Sequence, residues 1–146
     1  MNNLEKDLWY VFINLQLAKV YVFINGFFAN NKNLSFQIEF VLIIGTKSEK
    51  IAEFTLTGNI IHTNLTKCKR VIRIMLALEL YAIIIGVDML IALSSIINMI
   101  TNKLEIKQLL IIIYTDSFLL YKYIIKLDIT KKKTFNNWYY INLLII

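Results

Sequence analysis

The start of the fold is set by two strand-forming stretches, KVYVFIN at residues 19–25 and SFQIEFVLII at residues 35–44. The first is β-branched or aromatic at almost every position, which is typical of a strand buried on both faces. The second alternates in polarity, and one of its faces carries only apolar side chains, namely Phe36, Ile38, Phe40, Leu42 and Ile44. Gly26 and the turn cluster ANNKN at residues 29–33 separate the two stretches. We therefore expect an antiparallel pair of strands.

Further along the chain, strand and helix signals alternate. Residues 50–57 (KIAEFTLT) predict a third strand, which Gly58 and Asn59 interrupt before residues 60–62. A long amphipathic helix is expected from residue 70 to about residue 101.

After that helix the signals return to a strand and then to a helix. QLLIIIY at residues 108–114 reads as a buried strand, and residues 117–127 have helical spacing. The order βββ-α-β-α predicts an α/β fold with a mixed sheet, in which a crossover helix brings the fourth strand to a central position.

Composition limits the class of protein. The chain has 146 residues, 58% of them hydrophobic, and a net charge of +6. Such an apolar chain is not intrinsically disordered, and a single cysteine, Cys68, excludes an intrachain disulfide. Codons for its abundant Ile, Asn, Lys, Tyr and Phe are rich in A and T. We expect one domain at residues 19–133, after an ambiguous lead-in at 1–18 and before an apolar tail at 134–146.

Residues 82–100 are the best candidate for a membrane span. Asp88 near the middle costs about 2.5–3.5 kcal/mol on the insertion scale, which offsets most of the apolar gain. The helix also carries a polar stripe, made of Lys69, Arg70, Arg73, Asp88, Ser94, Ser95, Asn98, Thr101 and Asn102. We therefore expect a helix that packs on a soluble core, and keep a small integral membrane protein as the alternative.

Topology places three polar residues at one end of the expected sheet. Asn25 closes the first strand, Asp116 follows the fourth, and Glu79 lies on the crossover helix. Ligands of such sheets bind beyond the carboxyl ends of central strands. Two carboxylates there suit a divalent cation, and a pair of such ions can drive phosphodiester hydrolysis. The alternative is structural, with Asp116 capping a helix and Glu79 on the surface.

Five segments around these residues resemble the ribonuclease H domain of copia-type retrotransposon polyproteins, particularly fungal copies. They are VFINGFFANNKNLSFQI at 22–38, GNIIH at 58–62, TKCKRVIR at 66–73, LELYAIIIGVDM at 78–89 and YTDSFLLY at 114–121. The resemblance implies a ribonuclease H-like fold that cleaves the RNA strand of an RNA–DNA hybrid with two Mg²⁺ ions. It further implies that Glu79 and Asp116 are catalytic, metal-binding carboxylates.

The chain departs from the family pattern at the catalytic positions. Asn25 stands where the family has an aspartate, and a neutral amide weakens a site that holds cations largely by charge. The family pattern also includes a fourth catalytic carboxylate, which has no counterpart in this chain. We therefore expect the last strand and helix of the fold to be missing. Single C-to-T changes account for Asn25 and four other departures, Phe27, Ile72, Asp128 and Lys132. These observations predict an inactive, decayed copy.

Basic residues suggest the partner. Lys67, Lys69, Arg70 and Arg73 cluster before or at the start of the crossover helix, where they would favour a phosphate backbone without sequence specificity. The alternative is a solvated helix end. We expect an RNA–DNA hybrid or another nucleic acid as partner, an intracellular location in cytoplasm or nucleus, and no membrane in the leading interpretation.

Overall fold

The computed structural model describes residues 9–28, 36–48, 55–68, 74–126, 134–135 and 138–143. The elements, in chain order, are β1 (Lys19–Phe28), β2 (Phe36–Lys47), β3 (Leu56–Cys68), α1 (Met75–Lys103), β4 (Ile111–Thr115), α2 (Phe118–Lys126), β5 (Thr134–Phe135) and β6 (Trp138–Leu143). The predicted mixed α/β class and the order βββ-α-β-α of the first six elements are confirmed.

The strands form one sheet in the order β3-β2-β1-β4-β6-β5. β1, β2 and β3 are successive antiparallel neighbours, whereas β4 pairs parallel to β1 after the α1 crossover. β4 therefore occupies the central position that the sequence predicts.

One face of the sheet packs against α1. Val20, Val22 and Ile24 of β1 join the predicted β2 stripe, of which Phe36, Ile38, Phe40 and Leu42 are buried and Ile44 half-buried. The alternate residues of β1, Tyr21 and Phe23, lie with Ile112 and Tyr114 of β4 in a second apolar cluster. Both clusters follow from the period-2 alternation of a strand, which gives each side chain a fixed face.

Glycines do not end the strands as predicted. β1 continues through Gly26 to Phe28. The glycine is needed for packing instead, because a Cβ at Gly26 would lie only 3.1 Å from the Ala82 Cβ and 3.4 Å from the Leu78 Cγ of α1. Gly26 therefore permits the close approach of α1 to the sheet.

The expected interruption of the third strand is also wrong. β3 is continuous from Leu56 to Cys68, and its register shift next to the β2 step Leu42/Ile43 leaves Ile61 unpaired. Gly58 lies opposite Gly45 of β2, and a Cβ at either would come within 2.8 Å of the other's Cα. The pair of glycines is a place where two backbones meet closely. The start predicted at residues 50–54 lies outside the described residues.

α1 is shifted from its prediction, because it runs from Met75 to Lys103; residues 70–73 lie outside the described residues. Asp88, Ser95 and Asn102 of the expected polar stripe are exposed. Ser94 and Thr101 are buried, and their hydroxyls donate to the carbonyl oxygens of Ile91 and Asn98 in the same helix. Exposed Leu80, Ile84 and Ile91 share the outer face with the exposed polar residues, so this face is mixed.

The expectation that no further strand joins the sheet after β4 is wrong, because β6 pairs antiparallel with β4 along its whole length. Residues 138–143 (WYYINL) are uncharged and rich in aromatic and apolar side chains, which suits them to strand pairing. Among the described residues no helix follows α2.

Candidate functional site

A contact between the two helices lies at the end of the sheet where β4 finishes. Glu79, in the second turn of α1, is half-buried, and its Oε2 accepts a hydrogen bond from the hydroxyl of Ser117. Ser117 itself is buried, in the connection between β4 and α2. A hydrogen bond to a carboxylate is stronger than one between neutral groups. This contact joins the crossover helix to the turn that follows β4.

Ser117 also caps α2. Its Oγ accepts the N–H of Leu120 at 3.2 Å, and its backbone oxygen accepts the N–H of Tyr121 at 3.1 Å. The Ser117 N–H in turn donates to Oγ1 of buried Thr115 at 3.2 Å. A hydroxyl has one donor and two acceptor positions, so Ser117 can cap the helix and bind Glu79 at once. The carboxylate thereby lies near the N-terminus of α2, where the helix dipole favours negative charge.

Asp116 directly follows β4, as the sequence predicts, and is exposed. The neighbouring Ser117, which binds Glu79, ties Asp116 to the same part of the molecule as the carboxylate of α1. The structural alternative that gave Asp116 the capping role is wrong, since Ser117 supplies the cap.

Asn25 lies on the opposite face of the sheet from α1. Its neighbours Ile24 and Gly26 both face α1, where Ile24 meets Gly86 and Gly26 meets Leu78 and Ala82. β1 pairs with β2 in a regular register throughout, without a bulge. Successive side chains of a strand point to opposite faces, so Asn25 points away from Glu79 and shares its face with its cross-strand partner Glu39.

The described residues do not fit a two-metal site. No group of three or more His, Cys, Asp or Glu side chains within them could hold a metal ion. One Glu79 oxygen is bound by Ser117, and the Asn25 amide lies across the sheet. Two magnesium ions need several shared oxygen ligands converging on one space. The described residues therefore supply at most two carboxylates, Glu79 and Asp116, at this end of the sheet.

The expected basic cluster is described only at Lys67, because Lys69, Arg70 and Arg73 lie outside the described residues. Lys67 is exposed near the end of β3 and pairs with Gln37. β3 runs parallel to β1, so Lys67 lies at the same end of the sheet as Glu79 and Ser117. Its partner Gln37 alternates with Phe36 and Ile38, which face α1, so Lys67 lies at this end of the sheet but on the face away from Glu79.

Two single residues keep a structural role. His62 packs edge-on against Phe40, with ring centroids 5.8 Å apart, and its buried Nε2 has no hydrogen-bond partner. Cys68 is a buried free thiol at the end of β3.

Comparison with protein-family models, with curated proteins and with solved structures finds no match for this chain. The topology of the sheet shows a mixed α/β fold, and membership of the ribonuclease H family stays a proposal.

Two residues that connect the site, Ser117 and Thr115, are absent from the sequence-based prediction. A signal for Ser117 was present, because a serine directly before a helically spaced apolar segment is a typical N-cap. No local signal could show that its hydroxyl meets Glu79, since the two residues are 38 positions apart. Glu79 itself is half-buried, so the alternative that places it on the surface is only partly met.

Proposed function

We propose that this chain is a ribonuclease H-like domain derived from a retrotransposon polyprotein, which retains the scaffold of that enzyme but not its catalytic chemistry. The observation that carries the proposal is the meeting of Glu79 from the crossover helix with the turn at Asp116 and Ser117. The resemblance assigns catalytic carboxylates to these two places, 37 positions apart in the sequence.

The topology supports the same proposal. Three antiparallel strands are followed by α1, and α1 delivers β4 to the parallel side of β1. This arrangement brings the carboxyl ends of β1 and β4 side by side, which is where ligands of such sheets bind. A site at this position supports the proposed descent from an enzyme.

Two features argue for loss of hydrolysis. Asn25 removes a negative charge and lies on the face away from α1. Ser117 occupies one oxygen of Glu79 in a contact that also caps α2. Activation of water between two metal ions needs carboxylates that converge and are free to bind the ions. In this chain Glu79 acts instead as a bridge between two helices.

A hydrolysis assay tests this proposal. The full chain is incubated with a labelled RNA–DNA hybrid and Mg²⁺, and we expect no release of labelled RNA. Release that needs Mg²⁺ and is lost in Asp116→Asn would overturn the proposed inactivity. Asn25→Asp is expected to leave the chain inactive, because the new carboxylate lies across the sheet from Glu79.

The residual activity that we propose is weak, nonspecific binding of nucleic acid at the end of the sheet that carries Lys67. Lys67→Glu should weaken binding of a fluorescent hybrid in an anisotropy titration at low salt. Lys107→Glu serves as the matched control, since Lys107 is also exposed but lies in the loop before β4. Equal losses in both variants would show that the binding has no defined site.

The ancestry has its own test in the coding DNA. Alignment with intact retrotransposon copies should show an excess of C-to-T changes, including those at the codons of Asn25 and Phe27. An even spread of substitution types would contradict the decay of such a copy while leaving the prediction of no hydrolysis unchanged.

A second candidate function is that of a small integral membrane protein. Among the described residues α1 alone is long and apolar enough to cross a membrane, and only 22% of its most apolar window is buried. Against it, α1 meets Ile24 at Gly86 and Gly26 at Ala82, contacts that a spanning helix would lose. Resistance of vesicle-bound protein to alkaline carbonate extraction would favour this candidate.

A further inference from the structure

The end of the sheet where β1 begins differs in chemistry from the candidate site. It carries exposed aromatic and aliphatic side chains together with exposed lysines. We call this surface the aromatic–basic end, and it consists of Trp9, Tyr10, Phe12, Leu17, Lys19, Lys47, Ile100, Lys103, Leu104 and Lys107.

The segment before β1 is fixed in place by Asn59 of β3. The Asn59 Oδ1 accepts the Val11 N–H at 2.8 Å, and the Asn59 Nδ2 donates to the Val11 carbonyl at 2.9 Å. Asn59 pairs with Ile44, which packs against the α1-facing core, so Val11 lies on the same side of the sheet as α1. This two-point bond holds Trp9, Tyr10 and Phe12 beside the sheet.

α1 ends at the same place. Its first half passes Gly26 at Leu78 and Ala82, and it then meets Ile24 at Gly86, so α1 runs antiparallel to β1. Its last turn therefore lies toward the start of β1, where the Val20 N–H donates to the Leu110 carbonyl at 2.9 Å. Ile100, Lys103 and Leu104 are thereby brought to the end of the molecule that holds Trp9 and Phe12.

Exposure of these apolar side chains is unusually high. Phe12 is 97% exposed, Trp9 86% and Leu104 55%. Exposed apolar residues scattered singly are ordinary, whereas several large ones gathered at one end mark an interaction surface. Two of them, Trp9 and Tyr10, are the residue types that concentrate at membrane–water interfaces.

Charge selects the partner. Among the described residues of this end, Lys19, Lys47, Lys103 and Lys107 are exposed around the apolar side chains, and Glu105 is the exposed acid. The described part of this surface is thus net positive, in a chain whose overall net charge is +6. Lysines near an anionic lipid surface each contribute attraction, while aromatic side chains enter the headgroup layer.

We propose that the aromatic–basic end docks on the surface of a bilayer that contains anionic phospholipid. Trp9 and Phe12 enter the interfacial layer, the lysines contact lipid phosphates, and α1 stays packed on the sheet. The chain then binds the membrane peripherally, which departs from the expectation of no membrane and differs from the spanning candidate. The inference stands on a different surface from the ribonuclease H-like site.

Vesicle flotation tests the proposal and separates binding from aggregation, because aggregated protein sinks. The full chain is mixed with phosphatidylcholine vesicles, with or without phosphatidylglycerol, and floated through a density gradient. We expect flotation with the anionic vesicles, release at high salt and full extraction by alkaline carbonate. Trp9 fluorescence should shift to the blue on binding, and the shift should be absent in Trp9→Phe.

Matched variants locate the surface. Phe12→Ser should lower the partition coefficient about tenfold, by loss of one buried aromatic side chain. Lys103→Glu combined with Lys107→Glu should lower it more than tenfold, at roughly fivefold or more per lysine removed. Leu119→Ser and Lys122→Glu change exposed residues of α2, outside the aromatic–basic end, and should leave partition unchanged.

Circular dichroism and thermal unfolding first establish that each variant folds as the parent chain does. Absence of flotation would overturn the proposal. So would equal flotation with both kinds of vesicle, equal losses in the test and control variants, or resistance to carbonate extraction. A stable dimer that protects Trp9 from a soluble quencher and does not float would also overturn it, in favour of a second copy of the chain on this surface.

Discussion

The two ends of the sheet differ in whether contacts within the chain cover their side chains. Where β4 finishes, Glu79 and Ser117 satisfy one another, and the Ser117 hydroxyl also caps α2. Where β1 begins, Phe12, Trp9 and Leu104 stay exposed among lysines. A buried or half-buried polar group must find a partner within the chain, whereas apolar surface can stay exposed until a second molecule covers it. The first end is therefore closed by the fold and the second is open to a partner.

The largest expected effect concerns how closely the backbones approach at each end. Gly45→Ala at the aromatic–basic end places a Cβ 2.8 Å from the Gly58 Cα, so backbone must move. We expect a loss of about 1–3 kcal/mol in the free energy of unfolding, measured by urea denaturation. Gly26→Ala at the other end meets the Ala82 Cβ at 3.1 Å and should cost less. A greater loss in Gly26→Ala would reverse the comparison.

The next effect measures the closure at the candidate site. Ser117→Ala removes the cap of α2 and the donor to Glu79, and should lower the free energy of unfolding by about 1–2 kcal/mol. A double-mutant cycle with Glu79→Ala should show a positive coupling between the two side chains. Asp116→Asn, at an exposed position, should change stability by no more than about 0.5 kcal/mol. Additive effects of Ser117→Ala and Glu79→Ala would show that the helix-to-helix contact contributes nothing.

A smaller effect is expected at the tether of the open end. Asn59→Ala removes two hydrogen bonds to Val11 and should cost about 1 kcal/mol or less, because the bonds are partly solvated. The freed segment should be cut faster by chymotrypsin at Phe12 in a limited-proteolysis time course. Thr63→Ala, at an exposed position of the same strand, is the control. Equal cleavage rates in both variants would contradict the tether.

The smallest effect is confined to alkaline solution. Burial raises the pKa of Tyr21 above its ordinary value of 10.0, while a hydrogen bond with the Lys47 backbone acts to lower that pKa. Tyr21 is thus neutral in the folded chain at a pH where the unfolded chain already loses the proton. Its contribution is fully present below the unfolded pKa and is lost as the pH rises through the folded pKa. Tyr21→Phe should therefore reduce the fall in the free energy of unfolding as the pH is raised from about 8 to about 11.

Exposed Tyr123 provides the comparison for that measurement. Tyr123→Phe changes a side chain that is exposed rather than buried, and we expect it to leave the alkaline fall unchanged. Identical pH profiles for both variants would remove Tyr21 as a source of alkaline instability.

Much of the fold could be predicted from local pattern. The alternation from Phe36 to Ile44 fixed the face of β2 that meets α1, and the apolar run before Asp116 gave β4. The strand ends predicted at Gly26 and Gly58 were wrong, because both glycines lie inside strands and permit close packing there. A glycine's local sequence does not distinguish these uses, since the neighbour that needs the space comes from another element.

The candidate site was predictable only in part. The sequence predicted that Glu79 and Asp116 would lie at one end of the sheet, and the fold brings Glu79 to the turn beside Asp116. The sequence did not predict that Ser117 binds Glu79, nor that Asn25 lies across the sheet. The face of Asn25 follows from Ile24 and Gly26, whose packing against α1 settles the phase of β1.

The mixed α/β class, the order of the first six elements and the apolar, basic character of the chain can all be read from the sequence. Periodicity and charge are properties of residues close together in the sequence, so they can be recognised without the structure. Three contacts depend on the tertiary structure: the bond between Glu79 and Ser117, the pairing of β6 with β4, and the bond between Val11 and Asn59. Each joins segments distant in sequence, and their meeting depends on how the helices and strands pack.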